Sequence, residues 1–239
     1  MQLKLFNLLC NNQDMIPLKD TIPNRAFPST TWMLIILCGV VFLFETTLPQ
    51  ELLDEFTYYF GIVPVEYTER HRHGLPVIAY LSFLTTMFLH GGWLHFLGNM
   101  WFLKIFGSKV EDRMGHGRFL LFYLIVGILA SISYVYFSAR SSMPVIGASG
   151  AIAGVMGAYY VLFPRARILT LIPVFIFPWF IELPAVFFLG WWFLIQLFAG
   201  TVARVLPSSG GGTAWWGHIG GFIAGVLLVS FFLKNNRRY

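Results

Sequence analysis

The chain has 239 residues, of which 57% are apolar and 11% charged, with a mean hydropathy of +0.69. A soluble domain has no interior large enough for that much apolar surface, so the class is a polytopic helical membrane protein. The formal charge of +5 is spread too thinly for a nucleic-acid surface, and the two cysteines, Cys10 and Cys38, exclude a disulfide framework.

Residues 1 to 29 contain Pro17, Pro23 and Pro28, which argue against a long helix, and read as a short cytoplasmic lead-in without a cleavable signal. The first span covers residues 31 to 48 and carries Glu45 near its outer end. In the long connection 49 to 89, Leu52, Leu53, Phe56, Tyr59 and Phe60 recur at helical spacing among Glu51, Asp54 and Glu55. That pattern predicts an amphipathic helix in the membrane interface, and the apolar run 77 to 89 is short enough to lie half-submerged. The second span, 93 to 107, continues into Glu111 and a charged turn with Lys109, Asp112, Arg113 and Arg118.

The third span is 119 to 137 and the fourth is a short helix from Ser149. Residues 168 to 184 are interrupted by Pro173, Pro178 and Pro184, and are expected to form a membrane-embedded approach to a fifth span at 184 to 202. A flexible loop, Pro207-Ser208-Ser209-Gly210-Gly211-Gly212, leads to a sixth span at 215 to 233. The expected organisation is therefore all-α: a lead-in at 1–29, a six-helix membrane core at 30–233 and a cytoplasmic tail at 234–239. Lys and Arg concentrate in the two tails and in the second-to-third and fourth-to-fifth connections, which puts both termini in the cytoplasm.

The fourth helix points to a site. From Ser149 to Phe163 the chain has no charge before Arg165 and Arg167. Its length of roughly 22 Å, against a hydrocarbon core of about 30 Å, leaves the Ser149 hydroxyl below the outer surface. Counted back from Lys234 and from Glu111, His218 and His95 each lie about 24 Å along a helix, at a matching depth. Ser149, Ala153 and Gly157 recur every four residues, with Gly150 and Gly154 beside them, and Gly217, Gly221 and Gly225 do the same around His218. Small residues at that spacing let transmembrane backbones approach, bringing a hydroxyl and an imidazole within reach.

Alone, a serine or a histidine at a helix interface is an ordinary packing residue; the pair at one depth points to a nucleophile and its general base. His95 and Asn99 share a helix face and, with the Ser149 N–H, form a candidate set of oxyanion donors; an interhelical hydrogen bond is the plainer alternative. No carboxylate lies at the serine's depth unless Glu45 folds inward, so a Ser-His dyad is the simpler proposal. Only His90 is near as a third ligand, so no metal site or other cofactor is expected.

Several motifs in order resemble the rhomboid family of intramembrane serine proteases: Phe88-Leu89-His90-Gly91-Gly92-Trp93-Leu94-His95 through Asn99, Gly107 with Glu111, Gly147-Ala148-Ser149-Gly150, and His218 with Gly221 and Gly225. The resemblance implies a six-helix core with Ser149 as nucleophile, His218 as base, and His95, Asn99 and the Ser149 amide as oxyanion site. It also implies a first connection partly in the membrane, a gate made by the fifth span with the loop at 207 to 212, and transmembrane proteins as substrates. Two departures stand out. Gly217 precedes His218 where the family often has alanine, and Ala153 stands where some members carry an aromatic beneath the histidine.

The rival readings are a non-catalytic rhomboid-like adaptor binding transmembrane clients, and a small transporter, which the lack of internal repeats and paired intramembrane charges disfavours. The compact core leads us to expect a bacterial inner membrane.

Overall fold

Helices dominate this chain because most of its apolar runs lack interior prolines, and a backbone surrounded by hydrocarbon must satisfy its own hydrogen bonds. The computed structural model describes residues 15–68, 77–174, 177–205 and 213–234. The start of the lead-in with Cys10, the loop at 207–212 and the tail from 235 lie outside the described residues. Short strand β1 (Ile16–Asp20) precedes α1 (Ser29–Glu45), α2 (Gln50–Phe60), α3 (Pro64–Thr68) and α4 (Val77–Thr85). Helix α5 (Trp93–Phe102) runs through one π-helical stretch, Leu103–Gly107, into α6 (Ser108–Met114). Then come α7 (His116–Phe137), α8 (Ser149–Leu162), the strands β2 (Arg167–Val174) and β3 (Phe177–Pro184), α9 (Ala185–Val205) and α10 (Trp215–Phe232).

Among the described residues three helices are long and apolar enough to cross a membrane: His116–Phe137, Ala185–Arg204 and Trp215–Phe232. The apolar helices Ser29–Glu45, Ala79–Phe88 and Ser149–Leu162 are shorter. Many of their large apolar side chains, among them Ile36, Leu129, Phe187, Leu227 and Phe231, face outward, as lipid contact requires.

Packing centres on α8, whose residues 151 to 159 are all buried. It lies against α7 and α10, and the fit depends on absent side chains. A Cβ on Gly221 would stand 2.1 Å from the Gly150 carbonyl oxygen, and one on Gly157 would stand 2.2 Å from that of Phe222. Phe106, Phe119, Phe122, Tyr123 and Tyr159 fill the adjoining core.

The structure corrects the all-α expectation. Arg167–Val174 and Phe177–Pro184 are a pair of antiparallel strands, and the lead-in contributes β1 as a third strand in the order β1-β2-β3. The prolines explain the outcome, since Pro173 pairs with Pro178 near the ends of their strands and Pro184 ends β3, positions where a missing N–H is tolerated. Pro17 sits at a register shift in β1, and its carbonyl accepts the Trp101 indole N–H at 2.6 Å. Asp20 ties the strand down: Tyr159 donates to it at 2.7 Å, and the Lys109 ammonium lies 3.5 Å away. The sheet follows the C-terminal end of α8, opposite Ser149.

Candidate active site

Ser149 opens α8, so its backbone N–H has no carbonyl four residues back to bind and lies at the positive end of the helix dipole. The approach to it is fixed by the long first connection. Ile62 and Val145 exchange backbone hydrogen bonds of 2.9 and 2.8 Å, Gly147 N–H donates to the Thr86 carbonyl at 2.8 Å, and Thr86 Oγ1 donates to the Val145 carbonyl. Gly147 has φ +131°, and a Cβ there would stand 2.7 Å from His95 Cε1, so only glycine fits beside that ring.

His218 lies in the first turn of α10. Its Nε2 is 2.8 Å from Ser149 Oγ across 69 residues of sequence, and its Nδ1 is 2.7 Å from Gln196 Oε1 on α9. Trp192, one turn before Gln196, sets its ring against the imidazole at 5.9 Å between centroids, and Trp215 meets it edge-on at 6.4 Å. The start of α10 is fixed in turn by α7: Ser133 Oγ donates to the Trp216 carbonyl at 2.8 Å, and Phe137 stacks on the Trp216 ring at 4.1 Å. Ser149 and His218 line an open cavity together with Tyr134, Ile146 and Gly147.

The other residues singled out from sequence fall nearby in different ways. His95 Nε2 faces Gly147, while its Nδ1 accepts a long bond of 3.4 Å from the Gly91 N–H. That bond leaves the proton on Nε2, where it is free to donate. Asn99, one turn further along α5, is buried, and its Nδ2 has no hydrogen-bond partner among the described residues. Neither residue lines the cavity shared by Ser149 and His218.

Glu45 does fold inward, but its carboxylate accepts the His90 backbone N–H at 3.1 Å. The group at His218 Nδ1 is an amide. Sequence reasoning missed Gln196 and Trp192; the available signal was a glutamine inside an otherwise apolar span, one turn from a tryptophan.

Glu111 closes the opposite end. Its carboxylate accepts the backbone N–H groups of Thr30 and Thr31, both at 2.8 Å, the Thr31 hydroxyl at 2.6 Å, and a bond with His116 Nδ1 at 2.6 Å. It thus caps the first turn of α1 from another helix. Gly107 makes room, since a Cβ there would stand 3.3 Å from Thr31 Oγ1 and 2.9 Å from Leu103.

A hydroxyl bonded to an imidazole that is itself held from behind can become a nucleophile at neutral pH. The chain is similar to several known proteins over part of its length. Rhomboid protein 1, mitochondrial, of Saccharomyces cerevisiae is 29% identical over 168 residues, 66% of this chain and 43% of its own length. Rhomboid-like protein 11, chloroplastic, of Arabidopsis thaliana is 30% identical over 132 residues, 55% of this chain and 41% of its own. Rhomboid protease GluP of Bacillus subtilis is 47% identical over 75 residues, 31% of this chain and 14% of its own. The chain thus spans less than half the length of each of these relatives. Residues 79–235, from α4 through the Ser149 and His218 helices, match the rhomboid domain, and the chain is an integral membrane protein that belongs to the rhomboid family.

Proposed function

We propose that the chain is an intramembrane serine endopeptidase that cleaves transmembrane segments of other proteins with Ser149 and His218. The observation that carries this reading is the 2.8 Å separation of Ser149 Oγ and His218 Nε2 beside an open cavity. His218 Nε2 takes the hydroxyl proton as Ser149 Oγ attacks the peptide carbonyl carbon. The imidazolium then protonates the departing amine, and water hydrolyses the acyl-enzyme by the same steps in turn. The Ser149 N–H, His95 Nε2–H and the unpartnered Asn99 Nδ2 are the donors offered to the oxyanion.

The catalytic core is residues 30–233, with α1, the helical run 93–107, α7, α8, α9 and α10 as six spans. The lead-in and tail lie on the cytoplasmic side, where Lys and Arg concentrate. A substrate helix must first free its carbonyls, so segments with helix-breaking residues are preferred. The test is Ser149→Ala and His218→Ala against a transmembrane substrate in detergent, alongside labelling by a fluorophosphonate. Each variant should lose nearly all cleavage while staying folded, and labelling should require His218. Full activity in Ser149→Ala ends the proposal, and a folded wild type that is neither labelled nor active makes the protein a non-catalytic adaptor.

A further inference from the structure

We infer that Gln196 is the positioning residue that holds His218 in the tautomer able to accept the Ser149 proton, an inference that rests on the protease reading above. A hydroxyl donates its proton only to an imidazole nitrogen with a free lone pair, so Nε2, 2.8 Å from Ser149 Oγ, must be unprotonated and Nδ1 must carry the hydrogen. That Nδ1–H needs an acceptor, and Gln196 Oε1 stands 2.7 Å away. The amide orientation, the tautomer and the direction of the Ser149 bond are therefore one consistent set. Reversing the amide would set its NH2 donor against the Nδ1–H, and relieving that clash would move the ring proton to Nε2, where it blocks the serine.

Two further observations separate this contact from chance. Gln196 is buried within a span whose neighbours Leu194, Leu197 and Phe198 face outward, and a buried amide in such a helix is costly unless it is bonded. Trp192 lies on the same helix face one turn earlier and packs against the ring that Gln196 binds at its edge, so α9 fixes both the plane and the rotation of the imidazole. The role filled by a buried carboxylate in a Ser-His-Asp triad falls here to a neutral side chain. The uncharged acceptor fixes the tautomer without adding a formal charge. The titratable groups around His218 are His95 from α5 and Tyr134 from α7, and the residues it meets on α9, Trp192 and Gln196, are uncharged.

The experiment compares Gln196→Leu and Gln196→Glu with wild type in cleavage and in fluorophosphonate labelling across pH, with melting temperatures measured in parallel. Gln196→Leu, close in size but without the acceptor, should lower kcat about 10- to 1000-fold with KM little changed. Gln196→Glu restores the acceptor. It should recover most of the rate at alkaline pH, with the acid limb of the pH profile moved upward because a carboxylate stabilises the imidazolium.

The nitrogen NMR spectrum of the histidine rings gives a readout independent of turnover: His218 should be protonated at Nδ1 in wild type and shift toward Nε2 in Gln196→Leu. An unchanged kcat and tautomer in folded Gln196→Leu overturns the inference. So does a loss that Gln196→Glu fails to recover at any pH in a protein that still melts normally. A wild type that is not labelled through His218 removes the parent reading instead, and the NMR comparison still decides what Gln196 does.

Discussion

Gly225 on α10 lies directly over the backbone of Gly154 on α8: a Cβ at Gly225 would stand 1.9 Å from the Gly154 carbonyl oxygen. No rotamer relieves a clash with backbone, so the two helices must separate if that hydrogen is replaced. Gly225→Ala should destabilise the protein by about 1–3 kcal/mol. Gly221→Ala, whose Cβ would meet the Gly150 carbonyl one turn nearer the site, should lose more activity for a similar loss of stability because it spreads Ser149 from His218. Gly117→Ala, in α7 with open space around it, serves as the neutral control. Melting temperature and cleavage rate, measured side by side, check all three; an inert Gly225→Ala would refute the packing argument.

Asn99 offers a second test. Its buried Nδ2 has no partner among the described residues, which leaves the donor available to another acceptor. If that acceptor is a developing oxyanion, Asn99→Ala should reduce kcat about 10- to 1000-fold while leaving substrate binding almost unchanged. Stability should not fall in proportion, because removing an unpartnered amide strands no other group. Steady-state kinetics with a thermal melt separate the two quantities.

The β1 strand predicts a third outcome. Asp20 and Lys109 are both shielded, with side chains 6% and 10% exposed, and Tyr159 bonds the same carboxylate. Burial holds the Asp20 carboxyl above its ordinary value, with the Tyr159 hydrogen bond and the Lys109 charge partly opposing it. Asp20→Ala leaves the ammonium without its counter-charge and should cost about 3 kcal/mol. The loss should be local, so limited proteolysis should cut near residues 15 to 24 in the variant and spare them in wild type.

Which features were legible follows from how far apart the cooperating residues lie. Four-residue spacing of glycine is written within one helix, and the approach of α8 to α10 is carried by that spacing alone. Strand pairing is a relation between distant segments: Ile16 meets Leu171 and Asp20 meets Ile168, and proline content argues against helix without naming a partner. Pro173 and Pro178 marked a break, but their pairing depends on two strands running antiparallel. The setting of His218 has the same character. A search for a carboxylate finds Glu45, which binds the His90 backbone instead, while the group at Nδ1 is an uncharged amide 22 residues earlier. Its place in an apolar span marks it as unusual, but only its 2.7 Å approach to Nδ1 ties it to His218.

Glu111 makes a pH-dependent prediction. Burial by itself would raise its carboxyl, but hydrogen bonds from Thr31, His116 and Thr30 outweigh burial and hold it below its ordinary value of 4.5. A carboxyl depressed in the folded state stabilises the fold fully above its unfolded value and loses that contribution as pH falls through the folded one. Wild type should therefore lose melting temperature as the solution is taken from about pH 6 to pH 3, part of it through this group. Glu111→Gln removes the titration, and because Thr30 and Thr31 donate to different carboxylate oxygens, the amide keeps an acceptor for one and turns its NH2 donor on the other, so it should be less stable by about 3 kcal/mol near neutral pH. The gap between the two proteins should narrow in acid, where the wild-type carboxyl is protonated as well. A gap that stays constant across that range would mean that the α1 cap does not depend on the carboxylate charge.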